Sequence, residues 1–324
     1  LGGAVNGGEF NVAVGNYTLD ALTSGDFNTA IGYISGSALT TGSNNTSVGN
    51  QSLENHTIGN DNTAIGSGAL NANTEGEQNT AIGRAALGGN TTADNNTAVG
   101  YTALLANTTG EHNIGIGNAA VNGCDTESHN LGIGTDALGG SIAGGENNVA
   151  VGNYTLAALT SGDDNVAIGY NAGNANTSGG QNIYIGRDVA RLHTQDESNV
   201  IIGDDAVSEH AGGLGQSVVI GGAAGAGLGS GGSVVFIGYE AGANHDDESH
   251  NLGIGRSSLA GPIAGGEYNV AVGNQSLDAL TSADNCVAVG YNALTDLTTG
   301  GNNTACGYEA LANVVGGTSN TALG

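Results

Sequence analysis

Seven histidines are the first candidates for chemistry, because they recur at fixed spacing. His56, His193, His210 and His245 share one phase of a 17-residue period, and His112, His129 and His250 share another. His193 with His210, and His112 with His129, lie one period apart. Each pair is therefore expected to stack, and a stacked imidazole pair is the beginning of a metal site. The first phase, however, also accepts Leu, Asn and Cys124, which marks a tolerant, partly polar position rather than a dedicated ligand. Carboxylates cluster at Asp125 and Glu127, Asp196 and Glu197, Asp204 and Asp205, and Asp246, Asp247 and Glu248. Oxygen-rich corners suit Ca²⁺, and Asp246, Asp247 and Glu248 form the densest group. No EF-hand loop or G-G-x-G-x-D repeat accompanies them, so a solvated acidic rim is expected, with no required cofactor.

Tyr33, Tyr101, Tyr170, Tyr239, Tyr291 and Tyr308 share a third phase. Facing outward, they would offer contacts to sugar or protein; facing inward, they would plug a corner, and this structural role is the expectation. Thr29, Thr46, Thr63, Thr80 and Thr97 form a threonine row over five consecutive periods. A flat row of this kind could order water, which opens an ice-binding alternative, although Val or Ile replaces Thr in most later periods. Catalytic signatures are missing: there is no G-x-S-x-G, no H-E-x-x-H and no P-loop. The paired carboxylates repeat as decoration, whereas catalytic pairs need unlike environments, so an enzyme is not expected. Cys124, Cys286 and Cys306 are odd in number and irregular in spacing, which suits free thiols, as a rule buried. The twelve N-x-S/T triplets follow from the repeat itself.

The element that positions all of these residues is a short repeat. An N-x-A-I/V-G string runs the length of the chain, and its glycine falls at Gly15, Gly32, Gly49, Gly66, Gly83 and Gly100 and on to Gly324. Fifteen of the 18 steps between successive glycines match the 17-residue period, and the other three exceed it by one. With the Asn as position 1 and the Gly as position 5, Asn occupies position 1 in 16 of 19 units; Ser217, Val234 and Cys286 are the exceptions. Position 4 is Ile or Val almost throughout, position 8 is small, position 9 is often Leu and position 13 is often Thr. Register kept this strictly implies one continuous array over residues 1–324, read as a segment of a longer chain. Longer blocks around Asn11, Asn148 and Asn269 also repeat, each preceded by a glycine-rich stretch, and two of the three 18-residue units lie there.

A 17-residue unit is too short for a helix pair. Positions 1 to 5 alternate instead, with 2 and 4 on one face and 1, 3 and 5 on the other, and their β-branched residues favour strand. Positions 8 and 9 suggest a second short strand, with glycines marking the corners. One unit cannot bury its own apolar residues, but stacked units can. The expected fold is all-β: a parallel β-solenoid, or β-roll, of about nineteen coils spaced about 4.8 Å apart. Like residues then form ladders, with Asn28, Asn45, Asn62, Asn79 and Asn96 bonding amide to amide and Gly32, Gly49, Gly66, Gly83 and Gly100 at one corner. A core filled by Ala, Ile, Val and Leu, in a chain only 4% aromatic, is thin. Association is therefore expected, most simply as three copies side by side.

The N-T-A-I-G run followed by x-x-A-L resembles the head repeats of YadA-like trimeric autotransporter adhesins, and similar repeats occur in phage tail fibres. The matching residues include Asn28 with Ala30 to Gly32, Asn62 to Gly66, Asn79 to Gly83, and Asn165 to Gly169, and the likeness extends over essentially the whole chain. The resemblance implies a left-handed parallel roll, a homotrimer, and a head that binds a host surface, matrix or glycan, placed extracellularly on a cell or virion. Those head repeats are usually somewhat shorter than the unit of this chain.

Composition narrows the partners. Lys is absent, and four Arg face 30 acidic residues, for a formal net charge of −26. Such a chain repels phosphate, so neither nucleic acid nor an anionic membrane surface is an expected partner. No apolar run is long enough to insert into a bilayer. What remains is a structural or adhesive fibre segment, trimer or filament. The alternative is a monomeric solenoid that binds ice or carbohydrate.

Overall fold

The computed structural model describes residues 7–209 and 211–324. The chain forms two compact units, Leu1–Asp163 and Asp164–Gly324. Each is a parallel β-solenoid with one three-residue strand per coil, and no helix occurs among the described residues. Among the described residues, the first unit holds nine strands: β1 (Val12–Val14), β2 (Thr29–Ile31), β3 (Thr46–Val48), β4 (Thr63–Ile65), β5 (Thr80–Ile82), β6 (Thr97–Val99), β7 (Ile114–Ile116), β8 (Leu131–Ile133) and β9 (Val149–Val151). The second holds ten: β10 (Val166–Ile168), β11 (Ile183–Ile185), β12 (Val200–Ile202), β13 (Val218–Ile220), β14 (Val235–Ile237), β15 (Leu252–Ile254), β16 (Val270–Val272), β17 (Val287–Val289), β18 (Thr304–Cys306) and β19 (Thr321–Leu323).

Within each unit, consecutive strands pair in register. β4 and β5 set Thr63 against Thr80, Ala64 against Ala81, and Ile65 against Ile82. Across an 18-residue coil the register survives, with Leu131 against Val149. The extra residue is thus absorbed outside the strand.

The second strand expected at positions 8 and 9 does not form. Positions 7, 9 and 17 adopt left-handed backbone in coil after coil, as at Gln51, Leu53 and Asp61 (φ 56°, 48° and 61°). Such kinks end a strand, and the coil turns by them. Their strain is compensated by rungs above and below: Gln51 N–H donates to the Tyr33 carbonyl at 3.0 Å and Leu53 N–H to the Ala69 carbonyl at 3.0 Å. The corner glycine has a direct steric reason. Gly32 has φ 145°, and a Cβ there would lie 2.3 Å from the Gly49 carbonyl oxygen of the next coil. Position 5 must be Gly because its neighbour's backbone fills the space a side chain would take.

The side-chain alternation corrects one expectation. Positions 1 and 3 face inward and positions 2 and 4 face outward, as the intermediate–buried–exposed pattern of Thr80–Ile82 shows. The core is therefore Ala at position 3, small residues at 8, and Leu at 9 and 12, such as Ala81, Ala86, Leu87 and Leu22. The Ile and Val of position 4 are not part of it.

Candidate functional surface

The buried frame comes first, because it fixes the surface. Asn28 Nδ2 donates to Asn11 Oδ1 at 3.1 Å and to the Gly42 carbonyl at the end of its own coil at 2.9 Å, and Asn28 N–H also donates to Asn11 Oδ1 at 2.9 Å. Asn62 reaches Asn45, and Asn79 reaches Asn62, in the same way. The backbone N–H groups of Asn45 and Asn96 donate to Asn28 and Asn79, both at 2.9 Å. Each amide thus ties successive coils and pins the start of the strand to the turn beside it. Ser217 continues the column with a hydroxyl that accepts Val234 N–H at 3.2 Å.

A second polar ladder was not apparent from the sequence. At position 12, Asn90 Nδ2 donates to Asn73 Oδ1 (2.9 Å) and Asn107 Nδ2 to Asn90 Oδ1 (3.0 Å). His56 extends it: Nδ1 pairs with Asn73 Nδ2 at 3.0 Å and Nε2 with the Gly59 carbonyl at 2.8 Å. This requires the neutral Nε2–H tautomer, and burial lowers the His56 pKa accordingly. The signal for this ladder was available in the run His56, Asn73, Asn90, Asn107, all of one phase.

The other histidines divide by column. His245 is enclosed, edge-on to Phe236 (4.6 Å between ring centres), and burial pushes its pKa down to about 3. His193 sits in a closed network: Nδ1 is 2.8 Å from Asp196 Oδ1, Nε2 is 3.0 Å from the Leu228 carbonyl, and Tyr184 OH donates to Asp196 Oδ2 at 3.0 Å. Burial, then the Asp196 charge, raises the Tyr184 pKa well above the usual phenol value. His210 lies outside the described residues. In the outer column His112 and His129 stack face to face at 5.2 Å, an arrangement that does not turn their nitrogens toward one ion, and His250 stacks on Tyr268 at 4.9 Å.

The acidic clusters are not all rim. Asp196 is fully enclosed, and Glu127 and Glu248 are 6% and 9% exposed. Glu127 accepts N–H bonds from Asp125, Thr126 and Gly144. Burial favours the neutral acid, but these bonds outweigh it and hold the Glu127 pKa below the usual range. Glu248 accepts Asp246 N–H (3.2 Å) and Gly265 N–H (2.6 Å), and Asp247 accepts from the Ser230 N–H and hydroxyl. The carboxylates of two of the three calcium candidates, Asp247 and Glu248, are thus engaged by the chain itself. Among the described residues, no three His, Cys, Asp or Glu side chains converge as a metal site. Asp204 and Asp205 instead meet Arg187 on the surface at 2.8 Å each. Cys124 is buried with its thiol pushed up to about 12, by burial first and by Glu127 second; Cys286 is also buried, whereas Cys306 is exposed.

The outward side of each coil is the distinctive surface. Ile31, Ile65, Ile82 and Ile116 in the first unit, and Ile168, Ile237 and Ile254 in the second, are 36–41% exposed although each is flanked by like residues. Beside them run Thr29, Thr46, Thr63, Thr80 and Thr97, then Ile114, Leu131 and Val149. Over all nineteen strands, positions 2 and 4 carry no charge, in a chain with a net charge of −26. Cys306 occupies position 4 of β18 on this side.

The position 6 tyrosines plug no corner: Tyr33, Tyr101, Tyr170, Tyr239, Tyr291 and Tyr308 are 42–69% exposed. Tyr291 and Tyr308 stack at 5.4 Å, and Arg84 lies 5.7 Å over Tyr101. The column borders the apolar side, separated from position 4 only by the corner glycine. No protein-family model matches the chain, and no curated protein matches its sequence.

Proposed function

We propose that this chain is a segment of an extracellular structural or adhesive fibre, on a cell or virion surface, whose copies associate side by side, most simply as a trimer. The observation that supports this most is the uncharged side formed by positions 2 and 4, with Ile or Val at position 4 almost throughout and Thr, Val, Ile or Leu at position 2. Soluble monomers rarely expose a continuous apolar surface of this kind. With the acidic residues excluded from positions 2 and 4, a second copy can approach there without charge meeting charge across the contact. The partner is therefore another copy, set so that apolar side meets apolar side. The likeness of the N-T-A-I-G run to YadA-like head repeats supports the same reading, and the exposed Tyr column bordering that side would supply contacts to a host, matrix or glycan surface.

Mass in solution by light scattering tests it. The wild-type chain is expected at a multiple of 31.4 kDa, and a variant carrying Ile65→Glu, Ile82→Glu and Ile168→Glu at one multiple lower or at the monomer. A monomeric wild type would overturn the fibre. A second reading has one observation in its favour. Thr29, Thr46, Thr63, Thr80 and Thr97 stand in register beside Ile or Val on the outward side, as a water-ordering surface would require. The other threonine column is committed to the ladder: Thr23, Thr40, Thr57 and Thr74 donate their hydroxyls to the carbonyls of the next coil. A monomer that lowers the growth temperature of ice, and loses this with Thr63→Lys, would favour the solenoid as an ice-binding module.

A further inference from the structure

Three coils in this chain are one residue longer than the rest, and each follows a coil whose position 15 is acidic rather than small. Glu127 precedes the coil 130–147, Asp196 precedes 199–216, and Glu248 precedes 251–268. We infer that these three acids are carboxylate clamps at the junctions with the longer coils: each accepts backbone N–H from the long coil, and Glu127 and Glu248 also take N–H groups of their own coil that the extra residue leaves without a rung.

The ordinary rung shows what is lost. In a 17-residue step the N–H groups of positions 13 and 14 both donate to the position 13 carbonyl of the next coil, as Thr108 and Thr109 do to Asp125 (2.8 and 3.3 Å). One coil later, Asp125 and Thr126 face the long coil. There the extra residue sits between Leu138 and Ile142, where Ile142 N–H folds back on the Gly140 carbonyl at 3.0 Å. Both N–H groups turn to Glu127 Oε2 instead, at 3.0 and 3.1 Å, while Oε1 accepts Gly144 N–H from the long coil itself at 2.9 Å. The long coil 251–268 repeats this arrangement. Ile263 N–H folds on Gly261 at 2.9 Å, and Glu248 accepts Asp246 N–H with one oxygen and Gly265 N–H with the other. The long coil 199–216 uses the shorter acid. There Thr194 N–H keeps its rung to the Gly212 carbonyl at 3.0 Å, Asp196 Oδ1 takes Leu214 N–H at 2.7 Å and pairs with His193 Nδ1 at 2.8 Å, and Tyr184 OH donates to Oδ2.

The pairing of acid and insertion has a physical basis. A buried N–H without a partner costs about as much as a lost hydrogen bond or more, and a carboxylate has acceptor sites enough to take two or three of them. Gly at position 15 has none. With an ordinary 17-residue coil above it, the same buried acid would find its N–H partners already bonded and would itself lack donors. The acid and the insertion are therefore expected to be useful together and harmful apart.

The test uses the whole chain and hydrogen exchange read on the peptides covering 122–130 and 138–148. Glu127→Gly is expected to speed exchange there ~10-fold or more, as the loss of about one buried hydrogen bond implies, and to leave the coils around Leu53 unchanged. Deleting Ser141 alone, which returns the coil to ordinary length, is expected to do the same. Combining the deletion with Glu127→Gly should restore protection toward that of an ordinary coil. A double variant no better protected than either single one would overturn the clamp, as would a Glu127→Gly chain with unchanged exchange. Should Glu127→Gly unfold the region outright, Glu248→Gln and Glu248→Gly are read in the same way on 243–268. The Gln keeps one acceptor, so it should fall between wild type and Gly, and equal exchange in all three would overturn the assignment.

Discussion

The coils of β4 to β8 and those of β11 to β14 enclose similar space by opposite means. In the first group position 3 is small, Ala64, Ala81, Ala98, Gly115 and Gly132, and position 9 is large, Leu70, Leu87, Leu104, Val121 and Leu138. In the second, position 3 grows to Tyr184, Ile201, Val219 and Phe236, while position 9 is Ala190, Val207, Gly225 and Gly242. The exchange is steric. A Cβ on Gly242 would lie 2.5 Å from the Phe236 ring, and a Cβ on Gly132 would lie 2.6 Å from Val121 Cγ2. The backbone circuit is common to both groups, so a coil has a fixed interior that two columns divide between them. Where a ring fills position 3, position 9 is small, as at Tyr184 with Ala190 and Phe236 with Gly242.

That complementarity can be broken in order of effect. Phe236→Ala removes the largest share of its coil's core and is expected to cost about 3–5 kcal/mol, read by denaturant unfolding. Adding Gly242→Leu to it recreates the arrangement of the first group and should recover part of the loss; no recovery would mean that the two columns do not trade volume. Gly242→Ala alone overfills the coil and should cost about 1–3 kcal/mol, although φ at this position is left-handed in coil after coil and Leu tolerates it at Leu70 and Leu87. The same Ala made in the Phe236→Ala background should be nearly neutral.

The polar side of the contrast gives smaller effects. The Tyr184 hydroxyl exists because a large ring at position 3 brings it to Asp196, and Tyr184→Phe should cost about 1 kcal/mol by the same unfolding measurement. Acid should act on the first group's long coil. The Glu127 carboxylate that precedes it is held below the usual range, with burial opposed and outweighed by backbone N–H bonds. Its stabilisation is thus complete above the unfolded value of about 4.3 and is lost as pH falls through the lower folded value. Exchange at 122–130 should rise in that window before exchange around Leu87 does.

The fold was legible because its period is rigid: the Gly column fixes the circuit and the Asn column fixes the register, and both can be read by eye. The facing of the strand was not. Alternation shows that positions 2 and 4 share a side, but Ile and Val at position 4 argued for the interior, and only the enclosed Asn ladder forces Ala inward and Ile out. The tyrosines at position 6 followed the same error, since an outward corner leaves them nothing to plug. The turns of positions 7 to 9 were invisible because Leu at left-handed φ runs against its intrinsic preference, sustained by rungs that no single coil displays. Glu127, Asp196 and Glu248 looked like rim acids until their coils were set beside the 18-residue coils that follow.

Everything rests on like stacking over like with position 4 outward, and paired cysteines measure it directly. In a Cys306→Ser background, Ile65→Cys with Ile82→Cys should oxidise to an intrachain disulfide, because the two are register partners on parallel strands about 4.8 Å apart, inside the Cα range a disulfide spans. Ile65→Cys with Ala81→Cys should not, one residue pointing out and the other in. Rapid closure of the second pair, or failure of the first, would contradict the ladder.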